Sequence, residues 1–206
     1  MKISRICDNL KNAKIFKFPR KMFLENKKIA LAVTGSIAAF KAAEIVSLMI
    51  KEGAQVQVLM TREATEFITP LTLRTLSRRP VVCDLWDKNS PWKPEHIDVA
   101  EWADLFLVAP ATAHIIACFA NGLAPEVVSC AYLATRAPVV VAPAMNEKMF
   151  EHPATRENIE KLRCRGNIIV EPASGMLACG VAGKGRLAEP AEIVERVADV
   201  LRNSEK

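Results

Sequence analysis

The sequence predicts a doubly wound α/β domain with a mainly parallel sheet. Apolar stretches typical of buried strands alternate with helical patterns from residue 28 to residue 203. The first strand, 28–34, contains an unbroken apolar run, as expected for a strand that is covered on both faces. With 206 residues, half of them hydrophobic, the chain is long enough to bury the core of a single domain.

The remaining elements follow in order from apolar spacing and from residues that end helices. Apolar side chains recur at helical spacing over 36–52, and Gly53 follows where a helix C-terminus ends. Further strands are predicted at 55–60, 81–85, 104–109, 138–142 and 167–171. Further helices are predicted over 63–78, 112–133 with a break near Gly122, 153–164 and 190–203 after Pro190.

The net charge of +5 is concentrated at the start of the chain. Residues 1–28 hold nine Lys or Arg and two acidic residues, so the rest of the chain is slightly acidic. We therefore expect a basic, flexible leader over 1–26, a folded domain over 27–206 and no nucleic-acid partner. No apolar run approaches the roughly 20 residues that cross a bilayer, and no signal peptide is evident. A cytoplasmic protein without membrane attachment is expected.

Six cysteines are scattered without a Cys-x-x-Cys pair or a histidine at zinc spacing, which argues against a metal site. Five of them are expected to be small buried hydrophobes. The sixth, Cys179, lies in a glycine-rich segment, a composition typical of a mobile flap or a binding turn. A cysteine next to positive charge can donate a proton or act as a nucleophile, and an inert thiol is the alternative.

Small and polar residues directly follow four of the predicted strands, at Gly35-Ser36, Thr61, 110–112 and 143–146. The carboxyl ends of parallel strands meet at one edge of the sheet, where ligands bind. At Gly35-Ser36, a close backbone approach and the amides of the first helical turn favour an anion, although Ser36 is equally a helix N-cap. The turn lacks the three-glycine dinucleotide pattern, which favours the phosphate of a mononucleotide.

Two other polar residues are candidates for chemistry. Asn146 follows an apolar run and can donate its amide to a substrate carboxylate without adding charge, or it can cap a helix that begins at Glu147. His96 follows a loop with two prolines and precedes a predicted short helix. An imidazole that titrates near neutrality suits proton transfer, although a lone loop histidine is more often a surface residue.

Together these segments resemble the homo-oligomeric flavin-containing cysteine decarboxylases. The resemblance is carried by Thr34-Gly35-Ser36-Ile37, by His96, by Pro143-Ala144-Met145-Asn146-Glu147-Lys148-Met149-Phe150 and by Gly175-Met176-Leu177-Ala178-Cys179-Gly180. It covers roughly residues 27–203 and implies a Rossmann-like flavoprotein fold. It is strongest to the branch that decarboxylates 4′-phosphopantothenoylcysteine to 4′-phosphopantetheine in coenzyme A biosynthesis.

The resemblance also implies a cofactor and a role for each site residue. FMN takes two electrons from the cysteine part of the substrate and later returns them. The implied FMN-binding residues are Gly35, Ser36, Ile37, Thr61, Thr112, Ala113, His114, Ile115, Ala144 and Met145. Asn146 is expected to bind the carboxylate that leaves, and Met176, Leu177 and Ala178 to contact the substrate. His96 is the expected catalytic base, and Cys179 is expected to return a proton to the intermediate.

The chain departs from the family pattern at three positions. His114 stands where Asn or Asp is commoner, and Phe150 where Trp or Tyr is commoner. Val181 replaces the aspartate that usually follows the Cys-Gly pair.

Other flavoproteins are alternatives. A peptidyl-cysteine oxidative decarboxylase would share Gly35, His96 and Asn146, but Cys179 argues against it. A non-catalytic regulatory flavoprotein of the family would commonly have lost one of the His, Asn and Cys that this chain retains. A flavin prenyltransferase would lack the Pro-Ala-Met-Asn string, and a nicotinamide dehydrogenase would need a glycine-rich turn.

The resemblance also implies partners. The family forms trimers or larger assemblies of trimers with flavin at subunit boundaries, so we expect a trimer-based homo-oligomer in which a neighbouring copy completes the site at His96 and Cys179. Because the chain ends soon after Leu201, we expect a separate phosphopantothenoylcysteine synthetase, rather than a fused domain, to supply the substrate.

Overall fold

The computed structural model describes residues 23–86, 93–176 and 182–204. Residues 1–22 of the predicted leader lie outside these ranges, as do Leu177, Ala178, Cys179 and Val181. The predicted domain boundary after residue 26 therefore stays a prediction. Leu24, just before that boundary, is fully buried, and its amide donates to the Glu52 carbonyl at 3.2 Å.

Five parallel strands form the central sheet of the described residues, in the order β2-β1-β3-β4-β5. Their bounds are Lys28–Val33 for β1, Gln55–Met60 for β2, Leu105–Ala111 for β3, Val139–Pro143 for β4 and Ile168–Ile169 for β5. All residues of β3 and β4 are buried, because helices cover both faces of the sheet. The predicted doubly wound α/β fold is confirmed.

The helices divide between the two faces of the sheet. Helices α1 (Ala42–Lys51), α2 (Pro70–Ser77) and α8 (Pro190–Ser204) pack on one face. Helices α3 (Glu95–Trp102), α4 (Ala113–Asn121), α5 (Val127–Ala134) and α7 (Pro153–Cys164) pack on the other, and α6 (Glu147–Glu151) is a short helix after β4. Successive residues of a strand enter opposite cores: Ile29 contributes to the first and Ala30 to the second. Among the helices described, none is both long and apolar enough to span a membrane.

Two of the predicted helices begin with a 3-10 segment instead of an α-helix. The helix predicted over 36–52 starts as the 3-10 segment Ile37–Lys41 and continues as α1. The helix predicted over 63–78 divides into the 3-10 segment Arg62–Glu66 and α2. Pro70 is the cause of the division, because it has no amide hydrogen to continue a helix and instead occupies the first turn of a new one.

The predicted break near Gly122 is confirmed. Gly122 has a left-handed backbone (φ 68°) and ends α4. Glu126 then begins α5 through a capping box in which its carboxylate accepts the amides of Val128 at 2.7 Å and Ser129 at 2.8 Å.

The strand predicted over 81–85 is wrong. Val82 alone forms an isolated parallel bridge, to Leu59 of β2. Val82 is 5% exposed, whereas Val81, Cys83 and Leu85 are only partly buried against the cores and Asp84 is exposed. The stretch thus packs at the outer edge of the sheet without continuing as a strand.

A two-stranded antiparallel ribbon, β6 (Ala173–Met176) and β7 (Ala182–Arg186), lies apart from the main sheet. The glycine-rich sequence predicts a mobile flap or a binding turn in this region, and the strands are not evident from it. Glycine is disfavoured in strands, and Gly175, Gly183 and Gly185 hide the pattern.

The prediction that the cysteines other than Cys179 are buried holds for only some of those that the structure describes. Cys118 is buried and Cys83 and Cys130 are half-buried, but Cys164 is exposed at the polar end of α7, so the expectation is wrong there. Within the described ranges, no group of three His, Cys, Asp or Glu side chains is arranged to hold a metal ion.

Candidate functional site

The strand order creates a crevice between the ends of β1 and β3. From β1 the chain crosses to β2 on one side, and the later strands continue on the other side, from β3 onward. The loops that leave β1 and β3 therefore run in opposite directions and open a space at the carboxyl edge. Ligands of doubly wound sheets bind at this position.

Thr34 joins the two strand ends inside this crevice. Its hydroxyl donates to the Pro110 carbonyl at 2.7 Å and accepts the Thr112 amide at 3.1 Å. Thr34 is 1% exposed, so water cannot easily replace these bonds. The side chain fixes where α4 begins relative to β1.

A cavity of about 480 Å³ lies directly above this junction. Its volume falls within the range of about 300–1,000 Å³ that is usual for small-molecule sites. The lining residues are Thr34, Gly35, Ser36, Thr61, Glu63, Thr112, Ala113, His114, Ile115, Glu126, Ala144, Met145 and Met149. The structure therefore brings together nine of the ten residues that the resemblance implied for FMN, from the ends of four strands or the turns after them.

Three hydroxyl groups in the cavity cap helical segments. Ser36 accepts the Ala38 amide, Thr61 the Ala64 amide and Thr112 the Ile115 amide, each at 3.3 Å. The N-cap interpretation of Ser36 is therefore confirmed, and Thr61 and Thr112 act as N-caps as well. A capping hydroxyl uses its oxygen as acceptor and keeps its hydrogen for donation, so the same groups can also donate to an anion.

Gly35 is required by packing between two turns of the protein. A Cβ atom added at this position would overlap Cβ of Glu63, in the 3-10 segment after β2. The Ser36 amide donates to the Thr34 carbonyl at 2.8 Å, which closes the turn. The predicted anion contact from the amides of the first helical turn stays a prediction.

The segment after β4 forms another wall. The Ala144 amide donates to the Ala111 carbonyl at 3.0 Å, and the Met145 amide donates to the Gly185 carbonyl at 2.9 Å. Asn146 follows and caps α6, with its side-chain oxygen accepting the Lys148 amide at 2.9 Å. The predicted cap at Asn146 is therefore present, one residue beyond the cavity wall.

Three of the predicted site residues that the structure describes are not among the lining residues: Ile37, His96 and Asn146. The side chain of Met176 lies outside the described part of the chain. The Ile37 side chain is 56% exposed. His96 lies within the first turn of α3 rather than before the helix, and it is half-buried. Burial lowers the pKa of its imidazole below the ordinary value of about 6.5. The predicted residues Leu177, Ala178 and Cys179 lie outside the described ranges.

Four residues that line the cavity were not predicted from the sequence: Thr34, Glu63, Glu126 and Met149. Thr34 and Met149 belong to the quoted motifs, and the position of Thr34 at a strand end was a usable signal. Glu63 and Glu126 had no such signal, because their contribution depends on which turns meet in space. The negative charge of Glu126 is offset by the two helix amides that it accepts.

His114 is held at the cavity wall by a neighbour one helical turn away. Its Nε2 lies 3.6 Å from Sγ of Cys118. Burial, and then the charge of Glu126, raise the pKa of the Cys118 thiol. Cys118 therefore stays protonated and inert, in agreement with its predicted structural role.

Residues 18–202 match the family described as Flavoprotein. The chain belongs to this family. Among curated relatives, the bifunctional coenzyme A biosynthesis protein CoaBC of Bacillus subtilis strain 168 is 46% identical over 172 residues. The CoaBC protein of Escherichia coli strain K12 is 47% identical over 174 residues. Each alignment covers 84% of this chain but only 42% and 43% of the respective relative.

Two solved structures are also similar. A Cys-to-Ser mutant of PPC decarboxylase complexed with pantothenoylaminoethenethiol superposes with a TM-score of 0.76 at 29% identity, covering 84% of this chain and 97% of the other. The FMN-binding protein AtHal3 gives a TM-score of 0.77 at 29% identity, covering 87% of this chain and 98% of the other. These likenesses support the predicted Rossmann-like flavoprotein fold.

The Thr34→Val variant tests the junction beneath the cavity. It preserves side-chain shape but leaves the Pro110 carbonyl and the Thr112 amide without their buried partner. We expect urea denaturation to give a free energy of unfolding lower by about 1–3 kcal/mol.

Thr75→Val is the matched control, because the exposed Thr75 hydroxyl donates to the Leu71 carbonyl at 2.8 Å. This variant should change the free energy of unfolding by less than about 0.5 kcal/mol. Equal losses in the two variants would contradict the importance given to burial at Thr34.

Proposed function

We propose that this protein is an FMN-dependent decarboxylase that converts 4′-phosphopantothenoylcysteine to 4′-phosphopantetheine in coenzyme A biosynthesis. The single observation that carries the proposal is the cavity at the β1–β3 crevice, which gathers nine residues implied by the resemblance. Membership of the Flavoprotein family and the similarity to CoaBC and PPC decarboxylase support it. The chain spans less than half of each CoaBC relative, so it corresponds to only part of such a protein.

The cavity residues fit FMN by chemistry and by position. The hydroxyls of Ser36, Thr61 and Thr112 would hold polar groups of the cofactor through their remaining hydrogens. Ala144 and Met145 would lie against its apolar ring system. When bound, FMN would supply two-electron redox chemistry, both for oxidation of the cysteine part of the substrate and for the reduction that follows loss of carbon dioxide.

The protein's own residues supply binding and proton transfer. His96 acts as the base, since burial favours its neutral form. Asn146 binds the departing carboxylate through its amide hydrogens, while its oxygen remains occupied by the Lys148 amide. Cys179 returns a proton to the carbon framework, with Met176, Leu177 and Ala178 contacting the substrate. The separation of His96 from the cavity lining of a single chain supports a site that a second copy completes.

Exposed apolar side chains support the proposed trimer-based homo-oligomer. Ile37 and Phe40 are 56% and 60% exposed in the turn after β1, and Phe67 and Leu71 are 44% and 67% exposed after β2. Met149, which lines the cavity, is 50% exposed. Apolar groups of this size next to a ligand site favour burial against another chain. A phosphopantothenoylcysteine synthetase is the proposed source of the substrate, and the cytoplasm is the proposed location.

Parallel assays with two substrates test the function. The purified protein, supplied with FMN, receives 4′-phosphopantothenoylcysteine or a peptide that ends in cysteine, and mass spectrometry follows the products. We expect bound flavin absorbance, carbon dioxide release from the first substrate and formation of 4′-phosphopantetheine.

Two outcomes would overturn the proposal. Loss of carbon dioxide from the peptide alone would identify a peptidyl-cysteine decarboxylase. Tight FMN binding without turnover of either substrate would instead identify a regulatory flavoprotein.

The pH profile tests His96. Because the pKa of His96 lies below its ordinary value, more than half of the imidazole is neutral at pH 6.5, and the acid limb of kcat/KM should have its midpoint below about pH 6.5. The unfolded chain binds a proton more readily than the folded one, so any stability linked to His96 is also lost as the pH falls below about 6.5.

His96→Gln should lower kcat about 10²–10⁴-fold and remove this acid limb. The control is His152→Gln, because His152 is exposed and its ring accepts the Ala154 amide, at the start of α7. An unchanged pH profile in His96→Gln would show that another group is the base.

Cys179→Ser tests the final proton transfer. A serine hydroxyl is a much weaker acid than a thiol, so carbon dioxide should still be released while 4′-phosphopantetheine fails to form. Flavin absorbance should bleach on addition of substrate and remain bleached under anaerobic conditions. Normal product formation would remove Cys179 from the mechanism.

A further inference from the structure

The strand β7 is bonded to the first residue of α6, Glu147, through the side chain of that residue. Glu147 directly follows Asn146, and its Oε1 accepts the Lys184 amide at 3.2 Å. Lys184 lies in the middle of β7. A carboxylate next to the proposed substrate-binding asparagine therefore contacts the backbone of the ribbon.

Two glycines of β7 let the backbone approach this closely. A Cβ atom added at Gly183 would overlap the carboxyl group of Glu147. A Cβ atom at Gly185 would overlap the Met145 carbonyl oxygen, and Gly185 also has φ +145°, which other residues rarely adopt. Glycine at both positions is thus explained by contact with the segment that flanks Asn146.

This contact has a second bond on the other side of Asn146. The Met145 amide donates to the Gly185 carbonyl at 2.9 Å. Met145 also lines the cavity. The ribbon is therefore bonded to the residue before Asn146 and to the residue after it, so a shift of β7 would move both neighbours of Asn146.

Other ionic contacts of the ribbon are weaker candidates for this role. Lys184 pairs with Glu171 at 3.0 Å, and Arg186 pairs with Glu189 at 2.9 Å. The side chains of both pairs are about half exposed, and exposed ion pairs contribute little because water screens them. The Glu147 bond differs because it joins a carboxylate to a backbone amide beside the site.

We propose that Glu147 is a positioning residue that holds the β6–β7 ribbon in register with Asn146. The inference rests on the proposed function, in which Asn146 binds the substrate carboxylate. In this role, the glutamate side chain is long enough for its oxygen to accept the Lys184 amide. An alternative is that it only places negative charge at the start of α6, where helix amides favour it. The two roles differ in whether charge or an acceptor is required.

Three variants separate the two roles. Glu147→Gln keeps the acceptor oxygen and the length of the side chain but removes the charge. Glu147→Ala removes both. Glu151→Ala removes an exposed carboxylate from the same helix and is the matched control.

Glu147→Ala should raise the KM for 4′-phosphopantothenoylcysteine about ten-fold, with kcat changed less than about three-fold, because the acceptor of the Lys184 amide is lost. Glu147→Gln and Glu151→Ala should stay within about two-fold of the parent protein. An unchanged KM in Glu147→Ala, or equal losses in Ala and Gln, would overturn the proposal.

Gly183→Ala tests the same contact from the side of β7. The added methyl group would displace the Glu147 carboxylate, so this change and Glu147→Ala remove the same bond. The double variant should therefore show no further rise in KM over Glu147→Ala, within about two-fold. Multiplied effects in the double variant would show that the two residues act separately and would overturn the proposal.

Amide hydrogen exchange tests the contact between Glu147 and β7 without requiring enzymatic activity. In Glu147→Ala, peptides that cover 143–150 and 182–187 should exchange faster together, while a peptide of α8 keeps its protection. Unchanged exchange in the first two peptides overturns the inference. If the protein acts on neither substrate but this exchange pattern appears, the proposed function fails and the positioning contact stands.

Discussion

The bond between the ends of β1 and β3 is the constraint on which the rest of the site depends. These strands send their loops in opposite directions, and the buried Thr34 hydroxyl holds the diverging ends together by donating to Pro110 and accepting from Thr112. Because Thr34 is almost fully buried, no solvent molecule compensates for loss of these bonds. The start of α4, and with it one wall of the cavity, is thus positioned by a side chain that belongs to the neighbouring strand.

Above this junction, the same polar groups serve the fold and the proposed ligand. Ser36, Thr61 and Thr112 accept helix amides, which satisfies backbone groups that would otherwise remain unpaired near the cavity. Each hydroxyl also carries a hydrogen that it can donate, so local helix initiation also creates donors for a cofactor. The nearby Glu126 carboxylate accepts two amides, which limits its repulsion of an anion. Because the N-cap hydroxyls already provide hydrogen-bond donors, the site needs few additional polar residues.

The ribbon adds a different kind of constraint. Its backbone contacts the segment after β4 at Met145 and Glu147, and the glycines of β7 remove the side chains that would keep these backbones apart. Exposed ion pairs surround this contact, but screening by water limits their contribution. Backbone proximity, rather than the number of charges, therefore decides how the ribbon is placed.

The sequence by itself determined the alternation of strands and helices, the parallel sheet and the carboxyl edge at which the motifs meet, because apolar runs and strand-end positions are local patterns. It also located the caps at Ser36 and Asn146. Only the tertiary structure decided that Val82 forms a single bridge, that β6 and β7 pair, and that Glu63 and Glu126 reach the cavity. It likewise explained Gly35, Gly183 and Gly185 by contacts with distant segments. These features depend on which turns meet in space, and no local pattern of residues encodes that meeting.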